Sequence, residues 1–308
     1  MQLTKLAVQV LSAIGAAERF LVARQSQDGL WRDYSALEPG WSEAWVTAVV
    51  GWSLTLSPAG ACTGPPVSAA AESIHALAKG DGWGYNRNTA SDADSTAWVW
   101  RFLARIDDYR GRSAILDLCH YLSPDGTAHT FHGARYGAWA GAHADVTPVL
   151  GLALLAVQAG SEFTGRVRKA ALSQRTPDGL WHSYWWTSNA YAVARNLEFL
   201  AATGGIPEAI KRRIRYWLKA EETGVSPFVI AQELAAAACV DKESGIFRCE
   251  ALLDMQASDG GWAASRTLLV PAQHAKQLES ATVLIFADEE RLMSTAMAMA
   301  ALKFWLTR

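Results

Sequence analysis

One phrase returns along the chain at intervals that call for a repeating architecture. Gln25-Ser-Gln-Asp28-Gly29-Leu-Trp31 reappears as Gln174-Arg-Thr-Pro-Asp178-Gly179-Leu-Trp181 and as Gln256-Ala-Ser-Asp259-Gly260-Gly-Trp262. Shorter echoes stand at Gly80-Asp81-Gly82-Trp83 and Pro124-Asp125-Gly126-Thr127. A single unit of this kind cannot bury its apolar face alone, so neighbouring units must stack. The phrase has legible physics. Asp-Gly is a turn pair, with the glycine free to take positive φ. The Gln ahead of it can hydrogen-bond backbone groups around the turn. The Trp lays a flat apolar face over the neighbouring repeat and leaves one N–H to satisfy.

Each copy stands between two helical patterns. Before the first, Leu3, Leu6, Val10, Leu11, Ile14, Phe20 and Leu21 fall on one apolar stripe. After it, residues 41–54 are apolar nearly all round, as expected of a buried helix. The alternation predicts further outer helices near 66–79, 113–122, 163–175, 206–220 and 245–257. It predicts further inner helices near 92–106, 145–158, 187–202, 226–238 and 292–305. Six outer–inner hairpins make twelve helices, and no β-branched run of period two interrupts them, so the chain reads as all-α. Closed on themselves, six hairpins form an (α/α)6 barrel, a single domain over 1–308; an open superhelix is the alternative. Half of the 308 residues are hydrophobic and 14 are Trp, ample for a deep core.

If every inner helix follows a turn at the same end, all inner N-termini converge on one mouth. Each opens on a capping residue: Ser42, Asp94 or Ser95, Asp145, Thr187 or Ser188, Ser226, and Ser294 or Thr295. Six positive dipole ends at one mouth favour carboxylates and diphosphates. A second copy or another partner can cover such a mouth. The segment 263–291 leaves the repeat and contains Leu268-Leu269-Val270-Pro271 and His274. It reads either as a lid or as a surface excursion.

A net charge of −2 with scattered basic residues gives no reason to expect nucleic acid or an anionic membrane surface. Cys62, Cys119, Cys239 and Cys249 form no CxxC pair, which fits a reducing cytoplasm better than a disulfide framework. The N-terminus lacks a basic stretch followed by an unbroken apolar run and reads as a helix. No uninterrupted run of about 20 apolar residues is present, so no transmembrane segment is expected.

The phrase and the residues before it (Arg19-Phe20-Leu21-Val22-Ala23-Arg24-Gln25) resemble the QW repeat of squalene–hopene cyclases and related class II terpene cyclases. The resemblance covers nearly the whole chain and implies one β-type barrel. Asp92-Ala93-Asp94-Ser95-Thr96-Ala97-Trp98 is similar to the Asp-x-Asp-Asp-Thr-Ala motif of that family. There the middle Asp protonates a terminal alkene or epoxide. The resemblance implies Asp94 as the general acid and Asp92 as its companion. Ser95 replaces the third acid, a departure resembling some small bacterial class II barrels. The implied substrate is a linear prenyl diphosphate or related polyene. No redox cofactor is implied, and Mg²⁺ enters only as the companion of a diphosphate.

That chemistry needs a strong acid kept neutral until use. A carboxyl at a helix N-terminus beside donors has its conjugate base stabilised, while a neighbouring carboxylate pushes the other way. The cation then needs a dry, aromatic cavity. Trp98, Trp100, Trp139, Trp185, Trp186 and Tyr191 lie on or beside the inner helices, and Ser95, Asp145 and Asn189 face the same mouth. Each has an ordinary alternative. Asp94 and Asp145 also read as helix caps, and the tryptophans as packing. Trp31, Trp83, Trp181 and Trp262 read as structural. Asp117, Cys119 and His120 invite a zinc reading by resemblance to protein prenyltransferases, but fall on an outer helix. Arg87, Arg101, Arg135 and Arg266 are candidates for a diphosphate or for solvated surface. Two other function classes stay open: a non-catalytic isoprenoid- or peptide-binding barrel, and a carbohydrate-active (α/α)6 enzyme. The latter needs two carboxyls across a cleft.

Overall fold

The computed structural model describes residues 2–35, 39–56, 64–220, 225–274 and 283–308, without the side chains of Gln2 and Leu3. Cys62 lies outside the described residues. Outer and inner helices alternate as α1 (Gln2–Ala23) and α2 (Ala44–Thr55), α3 (Pro65–Ala76) and α4 (Ala93–Leu103), α5 (Ala114–Cys119) and α6 (Thr147–Ala156). They continue as α7 (Ser161–Ser173) and α8 (Ala190–Ala202), α9 (Glu208–Ala220) and α10 (Pro227–Val240), α11 (Ile246–Met255) and α12 (Leu292–Thr307). Every residue of α2 is buried. By contrast α9 buries Ile210, Ile214, Trp217 and Leu218 and shows Tyr216 to solvent.

The repeated phrase is fastened the same way each time. Trp31, Trp83, Trp181 and Trp262 are wholly buried. Each indole N–H donates to a carbonyl of the outer helix before it, on Leu21, Ile74, Ala171 and Leu252, at 2.6–2.7 Å. The phrase backbone then grips the inner helix that follows. Trp31, Trp83 and Trp262 donate their amide N–H to Thr47, Thr96 and Thr295 Oγ1 at 2.9–3.0 Å. In the weaker copy Ala128 does so to Thr147 at 3.2 Å. A threonine near the start of four inner helices therefore ties outer layer to inner layer.

The ring closes. The inner helices pack in the order α2, α4, α6, α8, α10, α12, and α12 returns to α2, while α1 packs on α11 and α12. Gln25 Nε2 bridges Gly29 O and Pro66 O, both at 2.7 Å. Gln256 Nε2 does the same for Gly260 O and Ala13 O, and so joins the last repeat to the first helix. Gly260 has φ +91°, and a Cβ there would sit 2.5 Å from Ala16 O on α1, so this joint requires glycine. These contacts make the barrel closed and not an open superhelix.

Two features depart from the sequence reading. Within 263–291, β1 (Arg266–Pro271) and β2 (Val283–Ala287) form an antiparallel hairpin; residues 275–282 of that segment lie outside the described residues. The hairpin docks on the 185–187 strip, with Leu269 N donating to Trp185 O at 2.9 Å and Thr187 N to Thr267 O at 3.0 Å. Thr267 and Leu268 are both buried although adjacent, so the two-residue alternation of an ordinary strand never arises. Second, α1 is long and apolar enough by composition to cross a membrane. Its stripe of Leu6, Val10, Ile14, Ala17 and Leu21 is buried on the barrel side instead.

Candidate active site

At the N-terminus of α4, Asp92 and not Asp94 is the cap. Asp92 has extended backbone (φ −141°), and its carboxylate accepts Ser95 N at 2.7 Å and Ser95 Oγ at 2.8 Å. Asp94, one residue into the first turn, is released from that duty. Its Oδ1 is buried and has no hydrogen-bond partner among the described residues, and neither has Trp45 Nε1. The expectation that donors at the helix start would stabilise its carboxylate is thus corrected. Asp92 takes those donors.

The electrostatics follow from this division. Burial, then the charges of Asp92 and Asp145, hold Asp94 well above the ordinary carboxylate range, opposed by the Trp45 indole and Arg101. Burial pushes Asp92 up to about 6 against its bonds from Ser95. Burial also pushes Asp145 up to about 6, although its Oδ2 accepts the N–H groups of Tyr184 and Trp185 at 2.8 Å. Of the three acids, Asp94 is the one whose surroundings most favour holding a proton. The pair with Asp92 acts through charge, since Asp92 spends its hydrogen bonds on Ser95.

These acids open on a cavity of about 600 Å³ at the mouth where the inner helices begin. Trp45, Tyr85, Trp139, Trp185, Trp186 and Tyr191 supply aromatic walls. Trp186 stacks between Tyr191 and Phe228, at 4.6 and 4.5 Å between ring centroids. Leu268, Val270, Pro271 and Leu284 of the hairpin roof it. Trp139 Nε1 donates to Pro271 O, and Ala138 N to Gln273 O, both at 2.7 Å, which fastens the roof to the 134–140 turn. Among the described residues no Lys, Arg or His lines the cavity.

Of the residues singled out from sequence, Asp92, Asp94, Ser95, Trp139, Asp145, Trp185, Trp186 and Tyr191 meet at this cavity. Trp98, Trp100 and Asn189 do not. Trp98 is wholly buried behind the wall and donates to Tyr191 Oη at 3.2 Å. Asn189 Oδ1 accepts Ser183 N at 3.0 Å at the start of α8. The arginines stand elsewhere. Arg87 pairs with Glu43 at 2.6 Å, Arg101 is buried on Glu198 at 2.6 Å, and Arg135 lies over Tyr136. Arg266 is exposed at the start of β1. Asp117 accepts Trp100 Nε1 at 3.1 Å and pairs with Arg112 at 3.0 Å, a structural role in place of the zinc reading.

Sequence reasoning missed Trp45, Tyr85 and Thr130 as wall residues. Trp45 sat inside an all-apolar helix, where no pattern tells a cavity-facing indole from a packed one. Tyr85 and Thr130 follow weak copies of the phrase, in loops without periodicity.

No protein-family model and no curated protein sequence matches the chain. Solved structures do. A variant of the type II terpene cyclase MstE from Scytonema, in complex with the substrate geranylgeranyl dihydroxybenzoate, is similar with a TM-score of 0.83 at 23% identity, over 99% of each chain. A protein from Actinoplanes gives a TM-score of 0.83 at 25% identity, over 96% of this chain and 99% of that one. The ent-copalyl diphosphate synthase from Streptomyces platensis gives 0.61 at 19%, over 85% of this chain and 50% of that one. The fold is therefore the barrel of type II terpene cyclases.

Proposed function

We propose that the chain is a protonation-initiated, class II terpene cyclase with Asp94 as the general acid. One observation carries this reading: Asp94 is a buried carboxyl with an unpartnered oxygen, opening on a cavity walled by aromatic side chains. A carboxylic acid adds its proton to an alkene only where water cannot take it first. The alkene π pair takes the Asp94 proton, the O–H bond breaks, and a tertiary cation forms beside the new carboxylate. The indoles and phenols of the wall then stabilise the cation as successive C–C bonds close the rings. A volume of about 600 Å³ suits a folded polyene, within the range of roughly 300–1,000 Å³ usual for small-molecule sites.

The lining favours a substrate whose head is an organic group over a prenyl diphosphate, because no cationic side chain among the described residues faces the cavity. The substrate bound by the similar MstE, a geranylgeranylated dihydroxybenzoate, supports this. Under this reading β1 and β2 form the lid. Purified protein incubated with geranylgeranyl dihydroxybenzoate, and separately with farnesyl and geranylgeranyl diphosphates, should give cyclic products by mass spectrometry with the first only. Equal output from wild type and Asp94→Asn would remove the cyclase reading and leave a binding barrel.

A further inference from the structure

A cyclisation begun by an acid must end by losing a proton, and the wall of this cavity holds a built acceptor. Thr130 is buried and lines the cavity. Its Oγ1 lies 2.9 Å from His143 Nδ1 and 3.4 Å from Trp185 Nε1. The other nitrogen of the His143 ring faces the Ala138 carbonyl, which can only accept. The tautomer with hydrogen on Nε2 suits this carbonyl and leaves the Nδ1 lone pair for the Thr130 hydroxyl. The ring is clamped flat on Tyr184, with centroids 3.7 Å apart and planes at 7°. Thr130 is fixed as well, since its carbonyl accepts Ala93 N at 2.9 Å beside Asp94.

We propose that Thr130 and His143 form the proton acceptor that terminates the reaction, Thr130 touching the final cation and His143 acting through it. The inference rests on the cyclase reading above. In the step, a C–H bond next to the cationic carbon breaks and its electron pair becomes the product alkene. The proton goes to Thr130 Oγ1 as the hydroxyl passes its own proton to His143 Nδ1. No oxidant or co-reactant is needed. The resulting imidazolium donates to Ala138 O on one side and to Thr130 on the other. Burial holds the free imidazole down, to about 4, so the ring stays neutral and ready across the ordinary pH range. Asp145 is the rival acceptor, with its Oδ1 also buried and unpartnered.

The test is product identity with geranylgeranyl dihydroxybenzoate as probe, using Thr130→Val, Thr130→Ser, His143→Phe and Asp145→Asn. Thr130→Val and His143→Phe keep Asp94, so the products they form, at whatever rate, report how the reaction ends and not how it starts. Their ratio of the wild-type alkene to isomeric alkenes or water-captured alcohols should fall at least about tenfold, a change of about 1.4 kcal/mol between competing exits. Thr130→Ser should restore the wild-type ratio. An unchanged ratio in Thr130→Val, an altered one in Asp145→Asn alone, or a wild-type product carrying water oxygen would overturn the dyad while leaving the cyclase. No consumption by wild type of this probe or of the two diphosphates would strike the cyclase reading itself, and the dyad with it.

Discussion

Asp33 and Leu292 stand 259 residues apart in the chain, and Asp33 Oδ2 accepts the Leu292 backbone N–H at 2.9 Å. The same carboxylate accepts Glu290 N at 3.1 Å and Tyr34 N at 2.9 Å. The first repeat thus caps the last inner helix. Asp288 completes the joint, accepting Ser265 N and Ser294 N, both at 2.6 Å. Asp33→Ala should cost about 1–3 kcal/mol for each buried N–H left without an acceptor. Chemical denaturation would report this as a lowered midpoint with an unchanged slope.

The same joint has a pH signature. Burial pushes Asp33 up to about 6; burial and then the charge of Asp33 push Asp288 up to about 7. A raised carboxyl binds its proton more tightly folded than unfolded. Its stabilising effect is complete below the ordinary Asp value and is lost as pH rises through the folded value. The melting temperature should therefore fall as pH rises from about 4 to about 7. Asp92 and Asp145 add to the same slope, so Asp33→Asn should reduce it without abolishing it. A flat wild-type profile over that window would refute the assignment.

The threonine clamps yield a third expectation. Thr96 Oγ1 accepts Trp83 N at 3.0 Å and donates to Trp83 O at 3.2 Å, both buried. Thr96→Val keeps the shape and strands the Trp83 N–H, while Trp83 O keeps the Asp92 N–H at 2.9 Å, at a cost of about 1–3 kcal/mol. Thr96→Ser keeps the hydroxyl and should recover most of the loss. Thermal melts of the two variants, run side by side, separate the hydrogen bonds from the packing.

The barrel was legible because its information is local. The Asp-Gly turn, the Trp that follows and the apolar stripes on either side are all read within one repeat. The helix starts were less so, because several are capped from elsewhere. Leu292 N is met by Asp33, and Ser294 N by Asp288, which no neighbouring residue announces. Ser226 is legible as a cap because its bond is local, accepting Val229 N. At the site, spacing marked Asp92 and Asp94 as special but could not divide their duties. That division depends on which carboxylate the helix amides reach. The hairpin stayed hidden because β1 pairs with a strand beyond residues 275–282 and borrows its remaining order from Trp185 and Thr187.

If Asp94 acts as its protonated form, cyclisation should be fastest at low pH and fall as pH rises through its raised value. Asp94→Asn should lower kcat by at least about 10²–10⁴-fold, the span usual for a general acid. Asp145→Asn removes a charge that holds the Asp94 proton, so its alkaline limb should move to lower pH. Rate profiles from pH 5 to 9 measure both. A profile rising with pH would mean that the carboxylate, acting as a base, is the working form.

Position 95 allows that electrostatic account to be tested in two directions. Ser95 Oγ donates to Asp92 Oδ2 at 2.8 Å and so helps keep Asp92 ionised. Ser95→Ala removes this hydroxyl and keeps the backbone N–H bonds on that carboxylate. Asp92 should then hold its proton to higher pH and press less on Asp94, moving the alkaline limb of kcat down. Ser95→Asp adds a third carboxylate within the same turn, which presses harder on Asp94 and should move the limb up. The same substitution makes Asp94 a weaker acid, so the plateau rate should fall even as the active pH range widens. A purely structural Ser95 would lower activity in both variants and shift neither limb, and the role of charge at this mouth would have to be given up.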